Sequence, residues 1–162
     1  MRVLGIDPGS RFCGFGAVED AGGTGVRHLG HGVLALGEGE ALENRLRVLH
    51  DGLTRELRAH RPDVVAIEEV YAARNARSAL VLGQARGVAL LAAAQCGARV
   101  RSFPASVIKQ AVTGTGRAEK DQVGRMVAVL LGITIQGRHD ASDALAAAIC
   151  GLLRARDPAR RP

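Results

Sequence analysis

Residues 2–18 read RVLGIDPGSRFCGFGAV: a short apolar run that stops at Asp7, a Pro8-Gly9 pair, and a second apolar run beginning at Phe12. Short apolar runs bounded by turn residues are strands, and Pro followed by Gly is turn chemistry. Residues 2–6 are therefore expected as a buried strand and 12–18 as its hairpin partner. A third strand, 26–36, follows the Gly-rich turn at 21–25.

Outward from this hairpin the period changes. Leu42, Leu46, Leu49, Leu53 and Leu57 recur at helical spacing and give one apolar stripe. Beyond Pro62, residues 64–67 are continuously apolar, as in a strand covered on both faces, and stop at Glu68-Glu69. An Ala-rich helix is expected over 75–95, with Gly83 and Gly87 four apart for close packing. A strand at 100–103 is cut off by Pro104, and 106–112 make one to two helical turns. Thr113-Gly114-Thr115-Gly116 is a flexible loop, 119–131 a helix stopped by Gly132. Residues 140–156 form a last helix with Leu145, Ile149, Leu152 and Leu153 on its buried side. Three antiparallel strands followed by parallel strands alternating with helices make one α/β domain, residues 1–157. The basic tail 158–162 is expected to fray.

Composition narrows the class. Hydrophobic residues are 47% of the chain and aromatics only 2%, so the core is built from Ala, Val, Leu and Ile. No uninterrupted apolar run reaches the roughly 18 residues of a membrane span. The strand-like start is unlike a secretory signal. Cys13, Cys96 and Cys150 are odd in number and set in apolar stretches, which reads as buried reduced thiols of a cytosolic protein.

The net charge of +6 suggests a polyanionic partner, and its distribution says more. Residues 70–118 contain no Asp or Glu but hold Arg74, Arg77, Arg86, Arg99, Arg101, Lys109 and Arg117. A one-sign stretch this long reads as a phosphate-binding region. Only Lys109 and Lys120 among the 22 basic residues are Lys, which suggests positions where a point charge suits better than a planar fork.

Asp7 and Glu68 each end a buried strand, and if those strands are neighbours their ends lie about 5 Å apart. Asp before Pro-Gly also opens turns, and strand alternation alone leaves open whether Glu68 or Glu69 faces a site. Asp140 and Asp143, three apart, share a helix face, where N-terminal Asp also serves capping. His139 adjoins Asp140 and could contribute. Hard oxygen donors without a Cys/His set favour Mg²⁺ or Mn²⁺, and two such ions suit in-line displacement at phosphorus.

The segments LGIDPGSR (4–11), AIEEVY (66–71), NARSAL (75–80), LGQARG (82–87), AEKDQV (118–123) and DASDALA (140–146) resemble the RuvC family of bacterial Holliday-junction resolvases. The resemblance runs in order over nearly the whole chain. It implies an RNase H-like fold, a mixed five-stranded sheet flanked by helices. It further implies a homodimer in the bacterial cytoplasm that makes paired symmetric nicks in four-way junction DNA, leaving 5′-phosphate and 3′-hydroxyl ends. The implied cofactors are two Mg²⁺ or Mn²⁺ ions, and the implied partner is a branch-migration helicase complex of the RuvA and RuvB type. The resemblance selects Glu68 over Glu69, places Asp7, Asp140 and Asp143 on the remaining acidic positions, and makes Lys109 and Lys120 the functional lysines. Tyr71, Arg74, Asn75, Arg77, Lys109, Arg117 and Lys120 are the residues expected on DNA, with Tyr71 stacking on an unpaired base.

Residues 5–10 also resemble the phosphate loop of actin-like and sugar kinases, but 162 residues hold neither the second subdomain nor the second loop these need. A RuvC-like small nuclease acting on ribosomal RNA precursors shares the early acidic pattern. The late acidic pair and the TGTGRAEK loop (113–120) argue against it. A non-catalytic junction-binding dimer is at odds with four intact carboxylates.

Overall fold

The computed structural model describes residues 1–69 and 75–156; Tyr71, Arg74 and the 158–162 tail lie outside them. The elements are β1 (Arg2–Pro8), β2 (Phe12–Asp20), β3 (Val26–Ala35), α1 (Leu42–His60), β4 (Val64–Glu68), α2 (Ala76–Gln95), β5 (Arg99–Phe103), α3 (Ala105–Thr113), α4 (Lys120–Leu131) and α5 (His139–Arg156). The five strands form one sheet in the order β3-β2-β1-β4-β5. β1, β2 and β3 pair antiparallel, while β1–β4 and β4–β5 are parallel. This is the expected mixed sheet. The segment after Pro104 is longer than the one to two turns expected: α3 has nine residues, ended by Gly114 in the left-handed region at φ 81°.

Alternation along β1 and β4 divides the core in two. Leu4, Ile6, Val65 and Ile67 pack with Leu49, Leu53, Leu57, Ala85 and Ala89, so α1 and α2 cover that face. Val3, Val64 and Ala66 pack with Leu145, Ile149 and Leu152, so α5 covers the other, with α3 and α4 beside it. Each fully buried Leu or Ile contributes about 1.5–3 kcal/mol.

α5 lies unusually close to the sheet because β1 and β2 offer it glycines. A methyl group at Gly5 would run into the Ala144 carbonyl oxygen, and one at Gly14 into the Asp140 carbonyl oxygen. At Gly16 it would meet the Leu145 side chain at 2.6 Å. Gly5 pairs with Gly16 and Asp7 with Gly14, so the three glycines form a shelf directly beside Asp7. Helix backbone rests on strand backbone here.

The glycines expected to pack closely do not do so within this chain. Nothing lies within 4 Å of a methyl placed at Gly83 or Gly87, and both are exposed on α2. Cys13 and Cys150 are buried as expected, but Cys96 is exposed. It caps the C-terminus of α2, past the last residues of that helix that reach the sheet.

Candidate active site

Residues 3, 5 and 7 of β1 share a strand face, as do 64, 66 and 68 of β4, and in both strands that face is the one α5 covers. Asp7 and Glu68 therefore point to the same side, and the pairing of Ile6 with Ile67 sets them at the same end of adjacent strands. Glu69 has the parity of Val65 and Ile67, and its N–H donates to the Phe103 carbonyl at 2.9 Å. The structure thus favours Glu68 on geometry. In the DNA cleavage that the resemblance implies, Glu68→Gln is expected to lose at least about a hundredfold in rate and Glu69→Gln less than about threefold. Side-by-side rates on one DNA substrate check this; equal losses would contradict it.

α5 brings the late acids to the same place. Its first turn stands on Gly14, opposite Asp7, so Asp140 and Asp143 approach the ends of β1 and β4. Asp7, Glu68 and Asp143 line one cavity of about 140 Å³ with Lys109 from α3 and Lys120 from α4. Ile108, Val123 and Ala146 close its apolar side. Three acids and both lysines of this chain meet in that cavity.

The charges there are unbalanced. Asp7 is pushed up to about 7, chiefly by burial and then by the neighbouring charges of Asp143, Glu68 and Asp140, with Lys120 opposing. Glu68 is raised by burial and by Asp143, against the pull of Lys120 and Lys109. Lys120 donates to Asp143 at 3.0 Å, and that bond holds its ammonium above the ordinary lysine range. A buried cluster of carboxylate oxygens short of positive charge, with no thiol or imidazole among its donors, suits a hard divalent cation.

Asp140 does not line the cavity. Its Oδ2 accepts from Arg138 Nε at 2.9 Å. His139 faces the other way, 3.8 Å from Asp121, in a wider groove shared with Arg125 and Arg138. Among the described residues no three His, Cys, Asp or Glu side chains are drawn together closely enough to form a metal-ligating group. The donor types suit a hard cation, while two of the donors are held in ion pairs, Asp140 with Arg138 and Asp143 with Lys120.

The acid-free stretch is not one surface. Arg86 is part-buried and donates to Ser102 Oγ at 2.7 Å, tying α2 to β5. Arg99 and Arg101 line a separate cavity of about 690 Å³ with Arg154, along the edge strand. Lys109 and Lys120 reach the carboxylates, and Arg117 is exposed in the loop between them. Asn75 caps α2, its side chain accepting from the Ser78 N–H at 2.9 Å, and Arg77, two residues on, is exposed. Arg138 and the glycine shelf went unread in the sequence. Gly14 and Gly16, two apart in a strand and facing an Ala-rich helix, were the available signal.

Comparison with known proteins gives a consistent result. The family model described as "Crossover junction endodeoxyribonuclease RuvC" matches residues 3–151. The protein of that description from Myxococcus xanthus is 54% identical over 94% of this chain and 80% of its own length. Its counterpart from Trichlorobacter lovleyi is 50% identical over 93% of this chain and 84% of its own. The structure of Thermus thermophilus RuvC in complex with a Holliday junction substrate superposes with a TM-score of 0.89 at 34% identity, covering 96% of this chain and 95% of that one.

Proposed function

The chain belongs to the RuvC family of crossover junction endodeoxyribonucleases, and from that premise we propose that Asp7, Glu68, Asp140, Asp143, Lys109 and Lys120 carry its chemistry. The fold is RNase H-like, and the protein is a nuclease that resolves Holliday junctions. The observation that supports the residue assignment best is the single cavity shared by Asp7, Glu68, Asp143 and both lysines.

The four carboxylates would hold Mg²⁺ or Mn²⁺, two ions per site, supplying an activated water and charge neutralisation at the scissile phosphate. The chain's own groups do the rest. Lys109 and Lys120 present compact positive charge to the phosphate and to the charge that develops on it. Ile108, Val123 and Ala146 form the apolar wall behind those charges. Two divalent ions would raise the formal charge from +6 to +10, tightening the grip on DNA. The products carry 5′-phosphate and 3′-hydroxyl ends.

Paired symmetric nicks call for two sites related by a two-fold axis, hence a homodimer. α2 supports it: Leu80 and Leu91 are 63% and 52% exposed, and Gly83 and Gly87 between them leave room for a second helix. A monomeric sedimentation coefficient at micromolar concentration would contradict the dimer. A RuvA- and RuvB-type branch-migration complex as partner, and work in the bacterial cytoplasm, complete the proposal. Among the described residues no helix is long and apolar enough to cross a membrane. Residues 1–157 serve as the one nuclease domain.

A mobile, end-labelled four-way junction, a linear duplex and a structured RNA test the activity together. Junction arms nicked in pairs and closed by ligase are expected; equal cutting of duplex, or cutting of RNA alone, would contradict the reading. In the same assay Lys109→Arg and Lys120→Arg should each slow cleavage about tenfold or more, because the larger planar fork cannot replace a point charge. Wild-type rates in both would remove the lysines from the site.

A further inference from the structure

We propose that Arg138, seated on the ring of Phe12, is a counter-ion latch that holds Asp140 out of the metal-free carboxylate cavity and yields it to an incoming divalent cation. The inference rests on reading the four carboxylates as a metal site, and it concerns a residue that reading leaves unused.

Asp140 and Asp143 sit three apart on α5 and share a face, yet only Asp143 lines the cavity. The difference is the partner. Arg138 Nε donates to Asp140 Oδ2 at 2.9 Å, and the same guanidinium carbon lies 3.5 Å from the centroid of the Phe12 ring. Phe12 opens β2, just past the turn that follows Asp7, so the ring that seats the arginine is fixed by the strand pair that also carries Asp7. Gly137, in the left-handed region at φ 89°, turns the chain into α5 immediately before Arg138. Ring, guanidinium and carboxylate thus form a three-membered chain beside the cavity.

The latch has an electrostatic reason. Asp7, Glu68 and Asp143 already bring three carboxylates into one small cavity, facing Lys109 and Lys120. An unpaired Asp140 swung toward the cavity would add a fourth. Pairing it with Arg138 neutralises it in place until a divalent cation, which all four acids can share, competes for it. The Arg138 side chain is 53% exposed and that of Asp140 22%, so the pair is worth little enough to be displaced. A buried bidentate pair would instead lock the site shut.

The test is Mn²⁺ binding to the full-length protein without DNA, followed by titration calorimetry and by the loss of the free-ion electron paramagnetic resonance signal. Arg138→Gln should bind Mn²⁺ about two- to fivefold more tightly than wild type, the factor expected when a part-exposed ion pair no longer competes. Phe12→Leu, which keeps apolar volume but removes the ring face, should move affinity the same way by a smaller factor. Arg138→Lys should return affinity toward the wild-type value. Equal or weaker binding by Arg138→Gln, with wild type binding normally, overturns the latch alone. Failure of wild type to take up Mn²⁺ at all overturns the metal-site reading and the latch with it.

Discussion

Asp7→Asn is expected to lower junction cleavage by roughly 10³-fold or more while junction affinity stays within a few-fold of wild type. The carboxylate lost stands at the end of β1 where β4 and α5 converge, pushed up by burial and by its acidic neighbours. An amide of the same shape keeps the packing but is a poor partner for a divalent cation. Binding should survive because the cations proposed to meet phosphate, Lys109, Lys120 and Arg117, are untouched. Removing one of several mutually repelling charges should also leave the metal-free protein at least as stable as wild type. Cleavage rates, gel-shift affinities and melting temperatures on the same preparation check all three. Loss of binding in step with cleavage would mean that Asp7 supports the fold and not the chemistry.

Gly14→Ala is expected to destabilise the protein by about 3 kcal/mol or more, lowering its melting temperature by roughly 10 °C. The added methyl would meet the backbone of Asp140, which cannot swing away as a side-chain tip can. Relief requires lifting the first turn of α5 off β2, which carries Asp140 and Asp143 away from Asp7. Activity should therefore fall further than stability does, even at temperatures where the variant is folded. Gly124→Ala is the matched control, inside α4 and with the added methyl at ordinary contact distance, 3.6 Å from Ser142 Oγ. It should be neutral or stabilising by up to about 1 kcal/mol, since Ala is the better helix former. If Gly14→Ala melted with Gly124→Ala, the helix-on-strand packing described for α5 would be wrong.

These two residues mark the division between what the sequence discloses and what it withholds. Asp7 could be singled out as a candidate because it ends a short apolar run, a local pattern, although Asp before Pro-Gly also opens turns. The strand and helix order was legible for a similar reason, since apolar periods of two and 3.6 are properties of short windows. The choice between Glu68 and Glu69 was not local. It depends on which face of β4 α5 covers, and Gly151 against Ala66 and Val3 decides that only in three dimensions.

Gly83 and Gly87 signal a close approach without naming the partner, and none lies among the described residues of this chain. Arg86 misled: its place in an acid-free stretch suggested phosphate, while its geometry gives it to Ser102. Cys96 sits among alanines like a core residue, but the helix outruns the sheet before reaching it. Arg138 was invisible because its two partners come from opposite ends of the chain, Phe12 on β2 and Asp140 on α5.

A crystal of the full-length protein soaked in Mn²⁺, with data collected to record the metal's anomalous signal, addresses the four-acid, two-lysine site most directly. The account predicts anomalous density bounded by Asp7, Glu68 and Asp143, with Asp140 turned in from Arg138 to complete the set and Lys120 released from Asp143. Density elsewhere, or none in that cavity at a concentration that supports cleavage, would contradict it.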